Sequence, residues 1–329
     1  ENDVPVCFMG NGSNLLVSDK GIRGVVVRLG SNMASTRVSG NEIYAESGIS
    51  LSRLATVACE HSLTGFEFAS GIPGTLGGGI VMNAGAYKGE LKDVVEEVTA
   101  LLPGGETKTF SADELDFSYR HSVFTGSDML VLSAKIRLEK GDREEIGAKI
   151  NELNKKRRTT QPLEYPSAGS AFKRPANGYA AAMIDSCGLK GFAVGGAQVS
   201  EKHAGFVINK GGATAQDMLS LLAHVHTHGS FSHGHGSAME NARVAHEKGL
   251  KSIAITEHGM NILVGGLRER EFAPFKKEIA EAQAAYPDVR IYYGIEADII
   301  SPDGEIDIPE RFKDEFEVVL LGMHYFVWG

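Results

Sequence analysis

Short β-branched runs separated by glycine-rich turns dominate the first two thirds of the chain. Gly24-Val-Val-Val-Arg-Leu-Gly30 and Met129-Leu-Val-Leu-Ser-Ala-Lys-Ile-Arg-Leu138 have strand length and turn-forming borders, which predicts a strand-rich α+β region. The segment from Arg143 to Lys156 reads as a charged helix ending in the basic cluster Lys155-Lys156-Arg157-Arg158. The pattern changes near residue 223. Ser237 to Lys248 places Ala238, Ala242 and Ala245 at helical spacing and stops at Gly249, and Ser252-Ile-Ala-Ile-Thr256 then reads as a strand. A helix from Glu271 to Ala285 and a strand from Arg290 to Gly294 follow. Such β/α alternation predicts parallel strands with functional residues at their C-terminal ends. With no repeat and no low-complexity linker, three abutting domains are expected: residues 1–150, 151–223 and 224–329.

Composition narrows the function classes. The 329 residues include 40 glycines but only 10 prolines, and 42% are hydrophobic, which excludes a fibrous or wholly disordered chain. A net charge of −9 without a long Lys/Arg block argues against nucleic acid as a partner, although a local basic patch still suits one ligand phosphate. Apolar runs such as Val318 to Leu321 are far below the ~20 residues of a membrane span. Cys7, Cys59 and Cys187 show no CxxC spacing, so a reducing cytoplasm is expected. The opening Glu-Asn-Asp-Val-Pro-Val has no signal-peptide character and reads as a cut inside a longer domain.

Two kinds of motif carry candidate chemistry. Gly10-Asn-Gly-Ser-Asn-Leu-Leu-Val17 and Gly71-Ile-Pro-Gly-Thr-Leu-Gly-Gly-Gly79 offer close backbone approach, positive φ and clustered N–H donors, which suit a pyrophosphate, and neither fits a Rossmann or P-loop pattern. The other is a histidine constellation: eight of the eleven histidines lie in the last third. His226-Thr-His228, His233, His258 closing a strand, Glu296 and His324 form a ligand set suited to Zn or Mn. The basic cluster has two readings, a solvated helix C-terminus or a phosphate patch.

The first group of motifs continues with Met82-Asn-Ala-Gly-Ala-Tyr87, Phe117-Ser-Tyr-Arg-His-Ser122, Ala168-Gly-Ser-Ala-Phe-Lys-Arg-Pro175 and Leu189-Lys-Gly-Phe-Ala-Val-Gly-Gly-Ala197. In this order they resemble the UDP-N-acetylenolpyruvoylglucosamine reductase family, in its shorter type, over residues 1–223. The resemblance implies an FAD-binding domain of the vanillyl-alcohol-oxidase type followed by an α+β substrate domain, with FAD and NADPH as cofactors and a UDP-sugar as substrate. It implies that Arg120 stabilises an enolate and that Ser170 donates a proton. It further implies that Gly10, Asn11, Gly12, Ser13, Asn14, Gly71, Gly74, Thr75, Gly77 and Asn83 face the cofactor, and that Arg158, Lys173 and Arg174 face the sugar diphosphate. The family's opening unit is not found before Glu1, and its pattern stops after Val225, without the later glutamate that joins Arg120 and Ser170 in catalysis.

From there the chain resembles the polymerase and histidinol phosphatase superfamily. Ser232-His233-x-x-x-Ser237 and Gly304-Glu-Ile-Asp-Ile308 place it nearest the bacterial phosphatase branch. This implies part of a distorted α/β barrel in which His226, His228, His233, His258, Glu296 and His324 ligate metal and activate a water toward a phosphoester. An open parallel sheet with a free edge is expected there. The join within Ala223-His-Val-His-Thr-His228 has no linker, which points to a rearranged reading frame. Three outcomes stay open: a reductase, a metal-dependent phosphoesterase, or a fusion with neither activity. Oligomeric state is not read from the sequence.

Overall fold

The computed structural model describes residues 4–173, 179–186, 188–225, 237–247, 252–258, 267–298, 308, 312 and 315–322. The chain divides into two compact units, Glu1–Leu163 and Glu164–Gly329.

The first unit opens with two parallel strands, β1 (Val6–Met9) and β2 (Val25–Arg28), in register from Val6–Val25 to Met9–Arg28. Two further strands follow, β3 (Thr36–Ser39) and β4 (Glu42–Glu46), and then helix α1 (Leu51–Glu60). Ser50 caps α1 by accepting the Arg53 amide at 3.2 Å, and Leu51, Leu54, Ala55, Val57 and Ala58 form its buried face. Next come β5 (Leu63–Thr64), α2 (Leu76–Val81) and a tight hairpin of β6 (Gly85–Ala86) with β7 (Gly89–Glu90). Strands β8 (Val95–Leu101), β9 (Thr107–Ser111), β10 (Leu130–Arg137) and β11 (Glu139–Lys140) lead to the long helix α3 (Arg143–Thr160). The main sheet is antiparallel, ordered β3-β4-β10-β8-β9. One core, including Ile43, Leu54, Phe66, Leu76, Ile80, Leu91, Val98 and Ile136, joins the sheet to α1 and α2.

Helix α3 starts where the sequence places it, because Asp142 caps it by accepting the Glu144 and Glu145 amides at 2.8 and 3.0 Å. It runs to Thr160 and belongs whole to the first unit, so a domain border at residue 150 would cut it. The reason is packing: Ile150 lies on the main core, and the Cys59 thiol of α1 donates to the Arg143 carbonyl at 3.6 Å.

In the second unit, α4 (Ala180–Ser186) precedes a three-stranded antiparallel sheet of β12 (Ala193–Val194), β13 (Ala197–Val199) and β14 (Val207–Asn209), followed by α5 (Ala215–Val225). Ile184, Ala197, Val199, Ala204, Val207 and Leu221 form a core of their own. Asp217 ties the sheet to α5 by accepting the Thr214 amide at 2.9 Å and the Gly196 amide at 3.4 Å, contacts that lower its pKa. Beyond it, α6 (Ala238–Glu247), β15 (Ser252–His258), α7 (Phe272–Ala285), β16 (Arg290–Asp298) and β17 (Val318–Gly322) reproduce the expected alternation. The three strands are parallel in the order β15-β16-β17, and among the described residues each outer strand pairs on one side only. Ala238, Ala242 and Ala245 are buried with Phe275, Ile279, Ile291 and Ile295. No helix among the described residues is long and apolar enough to cross a membrane.

Replacing Asp142 by alanine removes the acceptor for two amides at the start of α3 and is expected to cost ~1 kcal/mol, read as a lower urea midpoint at unchanged m-value.

Candidate functional site

The two glycine loops meet. A side-chain carbon on Gly10 would lie 2.2 Å from Thr75 Oγ1, so only glycine allows this approach. Asn11 Nδ2 donates to the Pro73 carbonyl at 3.2 Å, and a carbon on Gly74 would stand 3.9 Å from Ser13 Oγ. Thr75 caps α2 by accepting the Gly78 amide at 3.4 Å. Gly77 sits so close to Ser47 that a side-chain carbon would approach Ser47 Cβ to 2.8 Å. With φ of +66°, Gly12 takes the left-handed conformation that the turn in the first loop needs. The N–H groups of Asn11, Gly12, Ser13 and Asn14 donate to no acceptor of the chain among the described residues. The buried Ser47 hydroxyl beside Gly77 is likewise without a partner. Unused amides on a close-approach backbone fit a dinucleotide pyrophosphate.

Arg120 stands at the tip of a two-residue turn closed by mutual Ser118–His121 amide–carbonyl bonds of 3.2 Å. Its φ of +59° is costly for a side-chain-bearing residue, roughly 1–3 kcal/mol. Its guanidinium donates to the Asn83 carbonyl at 3.4 Å and to the Gly85 carbonyl at 3.2 Å. Fully buried Asn83 serves as a scaffold: its amide donates to Glu90 at 3.1 Å and to the Ser118 carbonyl at 2.9 Å, and accepts the Lys92 amide at 3.0 Å. Its side chain is thus not a cofactor donor as the sequence suggests, because both N–H groups are used inside the chain. Ser122, also buried, fastens the other side of the turn to the Val81 carbonyl at 2.9 Å.

In the basic cluster the inward residue is Arg157. A side-chain carbon on Gly71 would lie 2.8 Å from Arg157 Cδ and 2.9 Å from Asn154 Oδ1, so α3 packs directly on the second glycine loop. Burial pulls the Arg157 pKa down, and its buried Nε has no hydrogen-bond partner. Arg158, the residue singled out from sequence, is exposed. The neighbouring Tyr87 donates its hydroxyl to the Leu153 carbonyl at 3.2 Å, and Lys156 Nζ lies 5.6 Å from the centre of its ring.

In the second unit, Ser170 pairs in an isolated bridge with Phe206, and the Ala171 amide donates to the Gly205 carbonyl at 2.8 Å. The 200–206 turn is pinned by Ser200, whose hydroxyl accepts the Lys202 and His203 amides at 3.1 and 3.3 Å. Lys173 is exposed, and Arg174 lies outside the described residues. Of the metal-ligand set, His226, His228, His233 and His324 also lie outside them. The other two, His258 and Glu296, are register partners at the C-terminal ends of parallel strands β15 and β16.

Comparison with known proteins decides the family. Residues 1–111 match the model of an FAD binding domain, and residues 161–230 that of the UDP-N-acetylenolpyruvoylglucosamine reductase C-terminal domain. The UDP-N-acetylenolpyruvoylglucosamine reductase of Caldanaerobacter subterraneus subsp. tengcongensis is 55% identical over 225 residues, 68% of this chain and 74% of that protein. The chain belongs to the UDP-N-acetylenolpyruvoylglucosamine reductase family. The reductase of Syntrophomonas wolfei is 50% identical over 223 residues, covering 68% of this chain and 75% of its own. The crystal structure of the Thermus caldophilus reductase superposes with a TM-score of 0.62 at 36% identity, over 67% of this chain and 80% of that one. Residues 223–326 match the PHP domain, so reductase and PHP sequences join at the place the histidine pattern indicates.

Within this reductase-family chain, sequence reasoning marked the basic cluster as a phosphate candidate but did not single out Arg157. Four consecutive cations on a helix give no sign of which one turns inward, and only the glycine at position 71 hints at a close neighbour. Gly10→Ala drives a methyl group into Thr75 and is expected to weaken FAD binding at least tenfold, ~1.4 kcal/mol, in a flavin-fluorescence titration, with an unchanged far-UV spectrum.

Proposed function

We propose that this chain is an FAD-dependent reductase that uses NADPH to convert UDP-N-acetylglucosamine enolpyruvate to UDP-N-acetylmuramate in peptidoglycan synthesis. The observation that carries this reading is the contact of the two glycine loops at Gly10 and Thr75, in a chain about half identical to reductases of that name. The free amides of Asn11 to Asn14, with Gly71, Gly74, Thr75 and Gly77 opposite, hold the FAD pyrophosphate. Reduced FAD, when bound, supplies a hydride to one carbon of the enolpyruvyl double bond.

The chain's own groups handle the charge and the proton. Arg120, held by the Asn83 and Gly85 carbonyls, presents a preorganised cation to the oxygen on which negative charge develops. The Ser170 hydroxyl gives its proton to the second carbon. Lys173, Arg174 and Arg158 bind the sugar diphosphate as charge-assisted donors. Arg157 adds a half-buried charge beside the Gly71 loop.

Purified protein incubated with FAD is expected to turn yellow, with absorbance near 450 nm as for any flavin site, and under anaerobic conditions to oxidise NADPH beyond one equivalent of bound FAD only when the enolpyruvyl sugar is present. Colourless protein that takes up no FAD would sink the reading. Arg120→Lys keeps the charge but not the fork and is expected to lower kcat ~10²-fold with little change in FAD affinity.

A second reading applies to residues 224–329. Alignment of His258 with Glu296 at adjacent strand ends supports a Zn or Mn site of a phosphoesterase, completed by His226, His228, His233 and His324. His and carboxylate donors suit either ion. Elemental analysis is expected to find bound metal, and chelator to abolish hydrolysis of a generic phosphate ester; absence of metal after reconstitution removes this reading.

A further inference from the structure

One side chain packed against the Ser170 turn has no part in the reaction derived above. His203 sits on the tight turn between β13 and β14, three residues after buried Ser200 and two before Gly205. Its position is over-determined. Ser200 Oγ accepts the His203 amide, the His203 carbonyl accepts the Phe206 amide at 3.0 Å, and the imidazole packs edge-on against the Phe206 ring, with centroids 4.9 Å apart.

The Gly205 amide lies 3.2 Å from His203 Nδ1 and donates to it. A ring nitrogen that accepts from a backbone N–H carries no proton, so the hydrogen resides on Nε2. Gly205 is also where the two side chains converge. Ser170 Oγ and His203 Cε1 each lie 3.1 Å from the point a side-chain carbon on Gly205 would occupy, so the two atoms are no farther apart than twice that distance. Cε1 is bonded to Nε2. No direct hydrogen bond joins Nε2 to the Ser170 hydroxyl, and the spacing leaves room for one bridging water between them. Ala181 of α4 closes the same space at 3.3 Å.

We propose that His203 is a positioning residue for Ser170, its neutral imidazole donating from Nε2 to a water that bridges to the Ser170 oxygen. This rests on the proton-donor role given to Ser170 above. When the Ser170 O–H bond breaks and the proton forms the new C–H bond of the product, the bonding pair stays on Oγ. The alkoxide is a strong acceptor, and a charge-assisted hydrogen bond from the bridging water, itself held by Nε2–H, stabilises it until solvent returns a proton. An imidazolium would lose the Gly205 contact. Burial, helped by the nearby Lys190 ammonium and opposed by a contact with its own backbone, pushes the His203 pKa down, in line with the neutral ring that the Gly205 contact requires. Lys190 is itself paired with Asp185 at 2.5 Å, and Lys202 on the same turn is paired with Glu164 at 3.4 Å.

The test uses the full chain reconstituted with FAD, together with histidine-labelled protein for NMR. His203→Phe is expected to lower kcat for the enolpyruvyl sugar by ten- to a hundredfold with less than a twofold change in KM, and His203→Gln, which keeps a donor, to restore most of it. Reduction of bound FAD by NADPH without sugar should be unchanged in both, since Ser170 takes no part there. Gly205→Ala, which wedges a methyl group between the two side chains, should behave like His203→Phe. In NMR, Ser170→Ala should shift the His203 Cε1–H and Nε2–H resonances. Unmoved resonances, or a kcat retained in His203→Phe, overturn the proposal. If the parent protein takes up no FAD, the reductase reading fails by that result alone, while the NMR arm still decides whether His203 and Ser170 interact.

Discussion

The absence of side-chain carbons at a few glycines is the constraint on which the first unit depends. Gly10 lies against Thr75, Gly77 against Ser47, and Gly48 against the Gly30 and Met33 carbonyls. These approaches bring the loop after β1, the end of β4 and the start of α2 to one place. They also explain α2 itself, whose sequence Leu-Gly-Gly-Gly-Ile-Val is a poor helix former. The helix persists because Leu76 and Ile80 are fully buried and Gly79 fits under Leu91 and Leu51. Conformational entropy lost by these glycines is offset by a core that runs unbroken from the sheet into α1 and α2.

Both groups assigned to the reacting sugar are held by neighbours whose own polar atoms are satisfied within the chain. Asn83 and Ser122 bond to surrounding backbone, which fixes the strained Arg120 turn. Ser200 and Gly205 do the same for the segment facing Ser170. In each case side-chain-to-backbone hydrogen bonds hold the turn in one arrangement.

Much of this was legible in the sequence. The parallel strands and helices between residues 238 and 298 appear as periodicity, since each buries one face and the alternation leaves little ambiguity. Strand β10 and helix α3 were equally clear, the one from β-branched content and the other from a long charged run ending in a basic cluster. Two-residue strands such as β5 and β11 carry no period at all and arise only from tertiary pairing. At the site, motif order marked the glycine loops, Arg120 and Ser170. It did not separate ligand-facing from scaffold residues, because Asn83 looks the same in sequence whether its amide faces a cofactor or Glu90. The inward turn of Arg157 was hidden for a related reason, as α3 buries only Ile146 and Leu153 and offers no strong apolar face to orient the rest.

The central position of β10 has a consequence for how the chain reaches this state. Its partners are β4, with Arg137 level with Glu42, and β8, with Leu130 level with Leu101. A hairpin can form locally from β8 and β9, and another from β3 and β4, but neither joins the other until β10 slots between them. During synthesis the ribosome must therefore deliver the chain past Arg137 before the two hairpins share a core. Until then their unsatisfied inner edges are the segments that most need a chaperone's protection.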